Sequence, residues 1–126
     1  MKNILCFLLV AFFAVSCNGQ HPNVGLVSAK EFHEKTENKN LQLIDVRTPK
    51  EFKSGHIANA ENIHLYDADF EERIEKLDKN KPVYVYCKSG GRSAEAADIL
   101  AGKGFKVVEL RGGIEAWEQA ENPVKQ

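Results

Sequence analysis

Cysteine is scarce in this sequence, and neither sign of charge is in excess. The 126 residues include three cysteines, too few for the disulfide-dense scaffold of a small secreted domain. Lys and Arg number 17 against 18 Asp and Glu, which gives a net charge of −1. This balance argues against a nucleic-acid partner, because non-specific affinity for a polyanion needs a clustered excess of Lys and Arg. The length suffices for one domain with one core.

The only long apolar stretch of the sequence lies at its N-terminus, after the positive charge of Lys2. It runs over residues 4–15 without a charged side chain, which is short of the ~20 residues that a membrane-spanning helix needs. This pattern predicts an export signal. We assign the signal to residues 1–16, a tether to residues 17–23 and a domain to residues 24–122.

A cysteine, Cys17, stands at the predicted cleavage point. The segment Ala14-Val15-Ser16-Cys17 resembles the bacterial lipobox, with Ala14 where leucine is usual. The resemblance implies that Cys17 is lipidated and becomes the mature N-terminus. We therefore expect an exported lipoprotein of the bacterial cell envelope, held on a membrane and facing the periplasm. The alternative is a plain secreted protein in which Cys17 is incidental.

Strand-like and helix-like segments alternate along the remaining chain. Near-continuous apolar runs predict buried strands, and Thr48 followed by Pro49, with Glu51 at the third helical position, predicts a helix start. The predicted strands lie near residues 24–27, 41–46, 63–65, 83–86 and 105–110, and the predicted helices near 28–37, 48–55, 68–77, 93–101 and after 113. This order predicts an α/β fold, an open and mostly parallel sheet of about five strands with helices on both faces.

The end of the strongest predicted strand carries Cys87, at the edge where open parallel sheets place their functional sites. The residues that follow it are Lys88, Ser89, Gly90, Gly91, Arg92 and Ser93. Inward-facing N–H groups of such a loop, the next helix N-terminus and two nearby cations all favour a thiolate over a thiol. These residues predict a nucleophilic cysteine in an electropositive cup. The alternative is a phosphate-binding turn with an incidental buried cysteine, although the Gly-Lys-Ser/Thr of a Walker-type loop is absent.

The segment from Tyr86 to Ser93 resembles the active-site loop of rhodanese-type sulfurtransferases. Further blocks that resemble the family's signatures are Ile44-Asp45-Val46-Arg47, Glu51-Phe52, Gly55-His56-Ile57-Ala58-Asn59-Ala60, Leu110-Arg111-Gly112-Gly113-Ile114 and Trp117. The resemblance implies a three-layer rhodanese-like fold. It also implies that Cys87 takes up a sulfane sulfur as a persulfide, in a loop formed by residues 88–93, and passes that sulfur to a thiol or to cyanide. No cofactor is implied, since the sulfur is carried covalently.

The length of the loop bears on the choice of reaction. Four residues separate Cys87 from Arg92, whereas related phosphatases and arsenate reductases of this fold have five. The shorter loop favours a smaller, sulfur-centred transfer over a reaction at phosphorus or arsenic. By resemblance we expect a ping-pong displacement with a small sulfur-containing anion such as thiosulfate as donor, which the fork of Arg92 orients. A non-catalytic sulfur-carrier or binding module remains the alternative, followed by a phosphatase or arsenate reductase.

Roles for the remaining polar residues near the expected cup are mainly structural. Asp45 and Arg47 end a strand, and we expect them to pair with each other or with the loop, because buried carboxylates are normally paired. His56 is expected to stabilise a turn, since a thiolate needs no general base. Lys88 either attracts anions or is an ordinary solvated lysine, and Ser89 either donates a hydrogen bond or is merely small. The other histidines, His21, His33 and His64, share no metal-ligand spacing, so no metal site is predicted.

Overall fold

Five strands and five helices alternate along the chain in a computed structural model that describes residues 21–38 and 40–126. The strands are β1 (Val24–Val27), β2 (Gln42–Asp45), β3 (Glu61–Asn62), β4 (Val83–Tyr86) and β5 (Val107–Leu110). The helices are α1 (Ala29–Lys35), α2 (Pro49–Ser54), α3 (Phe70–Ile74), α4 (Gly91–Gly102) and α5 (Gly113–Gln119). The predicted alternation is confirmed.

The strands form one parallel sheet in the order β1-β5-β4-β2-β3. Its central strand, β4, is buried at all four positions, as expected of a parallel strand covered on both faces. Val85 of β4 lies beside Ile44 of β2 on one side and Glu109 of β5 on the other. Because all strands run the same way, their carboxyl ends share one edge of the sheet, and Cys87 follows β4 at that edge.

Each face of the sheet carries its own apolar cluster, since successive side chains of a strand point to opposite faces. On one face, Val83, Val85 and Cys87 pack with residues of α3 and α4. On the other, Tyr84 and Tyr86 pack with residues of α1 and α5. The prediction of helices on both faces is confirmed, and the three layers place the end of β4 between the two helical layers.

The third strand differs from the prediction. We expected it at Ile63 and Leu65, but the paired residues are Glu61 and Asn62. The N–H groups of Ile63 and Leu65 still donate to the carbonyls of Asp45 and Val46, at 2.9 and 3.1 Å, and both side chains are buried. These two residues therefore extend the attachment to β2 beyond the end of the regular strand.

The bounds of two helices also differ. Helix α3 is shorter than predicted and ends at Ile74, after which N–H groups bond three residues back, as from Leu77 to Ile74. Helix α4 begins at Gly91, earlier than the Ser93 start that we expected, because Gly90 before it adopts φ of 119°. Glycine reaches this left-handed region at little cost. The helix N-terminus thereby lies closer to Cys87.

The predicted export signal and the lipidated Cys17 lie outside the described residues and stay predictions. Of the predicted tether, residues 21–23 are described, and they form a turn in which Val24 donates to the carbonyl of His21 at 2.9 Å. Within residues 21–38 and 40–126, no helix is both long enough and apolar enough to cross a membrane.

Candidate active site

The thiol of Cys87 lies at the floor of the loop that joins β4 to α4. The residue is 1% exposed, and its Sγ accepts a hydrogen bond from the N–H of Gly90 at 3.0 Å. Sγ is also 3.4 Å from the hydroxyl oxygen of Ser93, in the first turn of the 12-residue helix α4. A donated amide and a helix N-terminus both favour negative charge on the sulfur. The loop therefore brings together a thiol and the groups that stabilise its anion.

The first turn of α5 donates hydrogen bonds to two carbonyl groups of this loop. The N–H groups of Ile114 and Glu115 donate to the carbonyls of Cys87 and Lys88, at 2.9 and 3.1 Å. Gly113 makes this approach possible: its φ is 63°, and a Cβ atom there would stand 2.5 Å from the Cys87 carbonyl oxygen. Gly113, the first residue of α5, is thus required by the Cys87 loop. Two adjacent glycines at the start of a predicted helix are the only signal of this contact in the sequence.

Arg92 does not stand free beside the thiol, because Glu51 of α2 binds it with both carboxylate oxygens. The two N–O distances are 2.6 and 2.9 Å. Glu51 also completes the capping box of α2, with Thr48 Oγ1 accepting from its N–H at 3.2 Å. The hydrogen bond from Arg92 is the main reason that the pKa of Glu51 falls to about 2. The predicted cation is therefore present, but it is positioned by a carboxylate that we had assigned only to capping.

Replacing Glu51 with glutamine should lower stability at neutral pH by about 1 kcal/mol, the value of a good partly exposed pair. A depressed carboxyl pKa means that the unfolded state binds more protons, so this stabilisation is complete above the ordinary carboxyl pKa and is lost as pH falls towards about 2. The difference between wild type and E51Q in urea unfolding should therefore shrink between about pH 4.5 and pH 2.

The control for this measurement is E31Q, which removes the partner of Lys35 in an exposed pair with an N–O distance of 3.9 Å. Its effect at neutral pH should be smaller than that of E51Q. An E51Q variant that is no less stable than E31Q at neutral pH, or whose deficit does not shrink on acidification, would contradict the assignment of the acid-sensitive stabilisation to the pair of Glu51 and Arg92.

Asp45 and Arg47 are brought together as a buried ion pair at the carboxyl end of β2. Their exposures are 0% and 4%, and the shortest N–O distance is 2.7 Å. Arg47 also donates to the carbonyl of Gly55 at 2.6 Å. Asn62 donates to the carbonyls of both members of the pair, at 3.1 and 2.8 Å. We expected these two residues to pair with each other or with the loop, and the structure shows that they pair with each other. Their hydrogen bonds to Gly55 and Asn62 connect the end of β2 to the end of α2 and to β3.

The structure places Lys88 and Ser89 on the surface and His56 at a turn. His56 follows α2, with Nδ1 2.8 Å from the carbonyl oxygen of Phe52 and its ring stacked on the Phe52 ring at 3.8 Å. Lys88 is exposed, and its Nζ lies 3.9 Å from Glu115. Ser89 is exposed beside it. These positions agree with a local structural contact for His56, while the roles of Lys88 and Ser89 stay predictions.

Known proteins are similar to this chain in sequence and fold. The family profile of the rhodanese-like domain matches residues 28–120. The chain belongs to the rhodanese-like family. The match includes Cys87, the whole loop and both helices that support it, so the fold implied by the sequence resemblance is confirmed.

Similar proteins with names and solved structures extend this finding. The chain is 41% identical over 93 residues to the thiosulfate sulfurtransferase GlpE of Coxiella burnetii, covering 73% of this chain and 85% of that protein. It is 39% identical over 98 residues to the putative sulfurtransferase YtwF of Bacillus subtilis, covering 77% and 93%. The crystal structure of a rhodanese-related protein from Thermoplasma volcanium superposes with a TM-score of 0.72 at 33% identity, covering 80% and 97%.

Proposed function

We propose that this rhodanese-like domain is a sulfurtransferase that carries sulfane sulfur on Cys87, with thiosulfate or a similar small anion as donor. The observation that carries the proposal is the seat of the Cys87 sulfur, which accepts the Gly90 N–H at 3.0 Å beside the N-terminus of α4. An anionic sulfur is favoured there, and the extra negative sulfur of a persulfide would lie in the same field. The relative named thiosulfate sulfurtransferase supports the choice of donor.

In the proposed reaction, the Cys87 thiolate attacks the outer sulfur of the donor. A bond between Cys87 Sγ and that sulfur forms, the sulfur–sulfur bond of thiosulfate breaks, and sulfite leaves with its electron pair. The loop amides and the N-terminus of α4 stabilise the resulting persulfide anion. A thiol or cyanide acceptor then attacks the outer sulfur, and Cys87 leaves as a thiolate, ready for the next cycle.

Arg92 contributes to this reaction through its paired position. Its guanidinium donates two hydrogen bonds to the carboxylate of Glu51 in α2, so its charge stays beside the loop instead of moving into solvent. A planar fork that is already oriented loses little conformational freedom when an anion approaches. Glu51 therefore sets the direction of Arg92, and the pair as a whole attracts donors less strongly than a free arginine would.

The direct test is mass spectrometry of the purified protein before and after thiosulfate treatment. The proposal predicts that Cys87 gains the mass of one sulfur atom and that cyanide removes it, with thiocyanate as product. If Cys87 gains sulfur only from a dedicated protein donor and thiosulfate is hardly turned over, the protein is a sulfur-carrier module and not the proposed enzyme. Hydrolysis of an aryl phosphate that depends on Cys87 would support a phosphatase instead.

We further propose that the protein is exported and anchored in the bacterial cell envelope by a lipid on Cys17. The charged start, the apolar stretch and the lipobox-like segment before Cys17 support this proposal. The same mass spectrum tests it, because the intact protein would begin at Cys17 and carry the added mass of a lipid. A mature N-terminus elsewhere, or an unmodified Cys17, would contradict the anchor.

A further inference from the structure

One arginine at the carboxyl edge of the sheet has no part in the reaction as written above. Arg111 directly follows β5, and its N–H donates to the carbonyl of Val27 in β1 at 2.8 Å. The residue is exposed, and within residues 21–38 and 40–126 its guanidinium makes no hydrogen bond or ion pair. The backbone of Arg111 is therefore fixed to the sheet, while its charge is not neutralised by any partner there.

The register of the strands places Arg111 level with Cys87. Val85 of β4 lies beside Glu109 of β5, and two residues further along each chain come Cys87 and Arg111. Neighbouring strands are about 4.8 Å apart, and every second side chain lies on the same face of a sheet. Glu109 lies on the face covered by α4, since it accepts from the Ser93 hydroxyl at 2.9 Å. Arg111 therefore belongs to that face, at the end of β5 that is nearest the thiol.

The residues that follow Arg111 contact the Cys87 loop directly. A Cβ atom on Gly90 would stand 3.9 Å from the nitrogen of Gly112. The N–H of Ile114 donates to the carbonyl of Cys87 at 2.9 Å. Contact with the loop thus begins one residue after Arg111, which places the start of its side chain at the edge of the loop.

The two cations within the loop itself are matched by carboxylates. Arg92 donates to both carboxylate oxygens of Glu51, at 2.6 and 2.9 Å, so the net charge of that pair is zero. Lys88 Nζ lies 3.9 Å from Glu115, which offsets its charge less closely. Of these three cations, Arg111 is the one that has no carboxylate partner within the described residues.

A buried acid on the same face of β5 offsets little of this charge. Glu109 is 5% exposed and is bound by the Ser93 hydroxyl, without an ion pair to Arg111. Burial raises the pKa of its carboxyl group, which reduces the fraction that is ionised. Glu109 therefore opposes the charge of Arg111 less than an exposed carboxylate in the same place would.

We propose that Arg111 is a specificity-determining residue, which favours anionic over uncharged reactants at Cys87. A charge at the entrance of a site raises the local concentration of oppositely charged molecules and the rate at which they arrive. Thiosulfate is a dianion and benefits from such a charge. The inference rests on the proposed function and deepens it, because the unpaired Arg111 selects the donor by its charge while Arg92 is held by Glu51.

The test compares alkylation of Cys87 by iodoacetate, an anion, with alkylation by iodoacetamide, which is uncharged. Both reagents attack the same thiolate, so the ratio of their rates at one pH does not depend on how far the thiol is ionised. Mass spectrometry of the peptide that contains Cys87 gives both rates. In R111Q the ratio of the iodoacetate rate to the iodoacetamide rate should fall about threefold or more, as expected for loss of one charge several ångströms away.

Salt provides a second measurement, which needs no variant at Arg111. Raising the ionic strength from about 0.01 M to about 1 M should lower the rate ratio in wild type, because salt screens exposed charges. The ratio in R111Q should change much less. A wild-type ratio that does not respond to salt would overturn the proposal even if R111Q failed to fold.

The matched control is K106Q, which removes the same charge at the other end of β5. Lys106 is exposed and directly precedes Val107, at the amino edge of the sheet and roughly 16 Å along the strand from Arg111. The rate ratio of K106Q should stay close to that of wild type, and R111K should keep most of it because the charge is retained. A ratio in R111Q equal to that in K106Q would refute the proposal. Equal slowing with both reagents would refute it too, since it indicates only a disturbed loop.

Sulfur transfer gives a separate measurement on the same proteins. In R111Q, kcat/KM for thiosulfate should fall about threefold or more, and in K106Q it should stay close to the wild-type value. If wild type takes up no sulfur from thiosulfate while the alkylation ratio still depends on Arg111, the proposed function fails and the preference for anions stands. Normal turnover of thiosulfate with an alkylation ratio that is the same in R111Q and wild type would overturn the inference and leave the proposed function intact.

Discussion

Replacing Cys87 with serine should abolish sulfur uptake and lower kcat/KM with thiosulfate and cyanide by at least about a thousandfold. The serine oxygen would lie where it can accept the Gly90 N–H, so the loop keeps its local contact. A hydroxyl group remains protonated at neutral pH and forms no persulfide. The variant therefore removes the chemistry while leaving most of the packing in place. Thiocyanate formation and the mass of the treated protein are the two measurements.

The first control for C87S is thermal unfolding, in which its Tm should stay within a few degrees of that of wild type. The second control is wild-type protein alkylated at Cys87. Both proteins should be inactive and folded. Thiocyanate production that survives in folded C87S would show that another group carries the sulfur. The proposed mechanism would then be wrong.

Replacing Arg47 with methionine should destabilise the domain by about 3–5 kcal/mol, because it leaves a buried Asp45 carboxylate without its cation. Arg47 makes short contacts with both Asp45 oxygens and with the Gly55 carbonyl, so the substitution also frees the end of α2. Helix α2 carries Glu51, which orients Arg92. We expect the sulfurtransferase activity of R47M to decrease in proportion to its folded fraction, which is measured by urea unfolding.

R73M is the matched control, since Arg73 belongs to a partly exposed pair with Glu61 at 3.7 Å. It should cost about 1 kcal/mol or less. The double variant of D45N with R47M should recover part of the loss, because it removes the unpaired charge. A single R47M variant that is as stable as R73M would contradict a scaffold role for the buried pair.

Local signals in the sequence were enough for most of the fold. The strand Val83–Tyr86 was predicted with its observed bounds, because four consecutive apolar residues after a proline leave little choice. The cap at Thr48, with Pro49 behind it, likewise placed the start of α2. The third strand was misplaced because it is defined by the pairing of Glu61 and Asn62 with β2. Which residues pair with β2 depends on tertiary packing and not on the apolar pattern of the segment itself.

The same distinction between local and long-range contacts applies to the candidate site. Cys87 and its loop were found from a contiguous segment, in which the small residues and the charges are neighbours in sequence. The partners of the loop were not found, because they come from distant segments: Glu51 is 41 residues before Arg92, and Glu109 is 16 residues after Ser93. Glu51 fits a capping box and Glu109 lies in an apolar strand. The residues next to them in sequence give no sign that either glutamate also contacts the Cys87 loop.

The dependence of the loop on α5 has a consequence for cutting the chain. The carbonyls of Cys87 and Lys88 are bound by N–H groups of the first turn of α5. A break in the chain between β5 and α5, if it released α5 from the domain, would remove both of these donors. The Cys87 loop would then lose its support, although the break is distant from it in sequence.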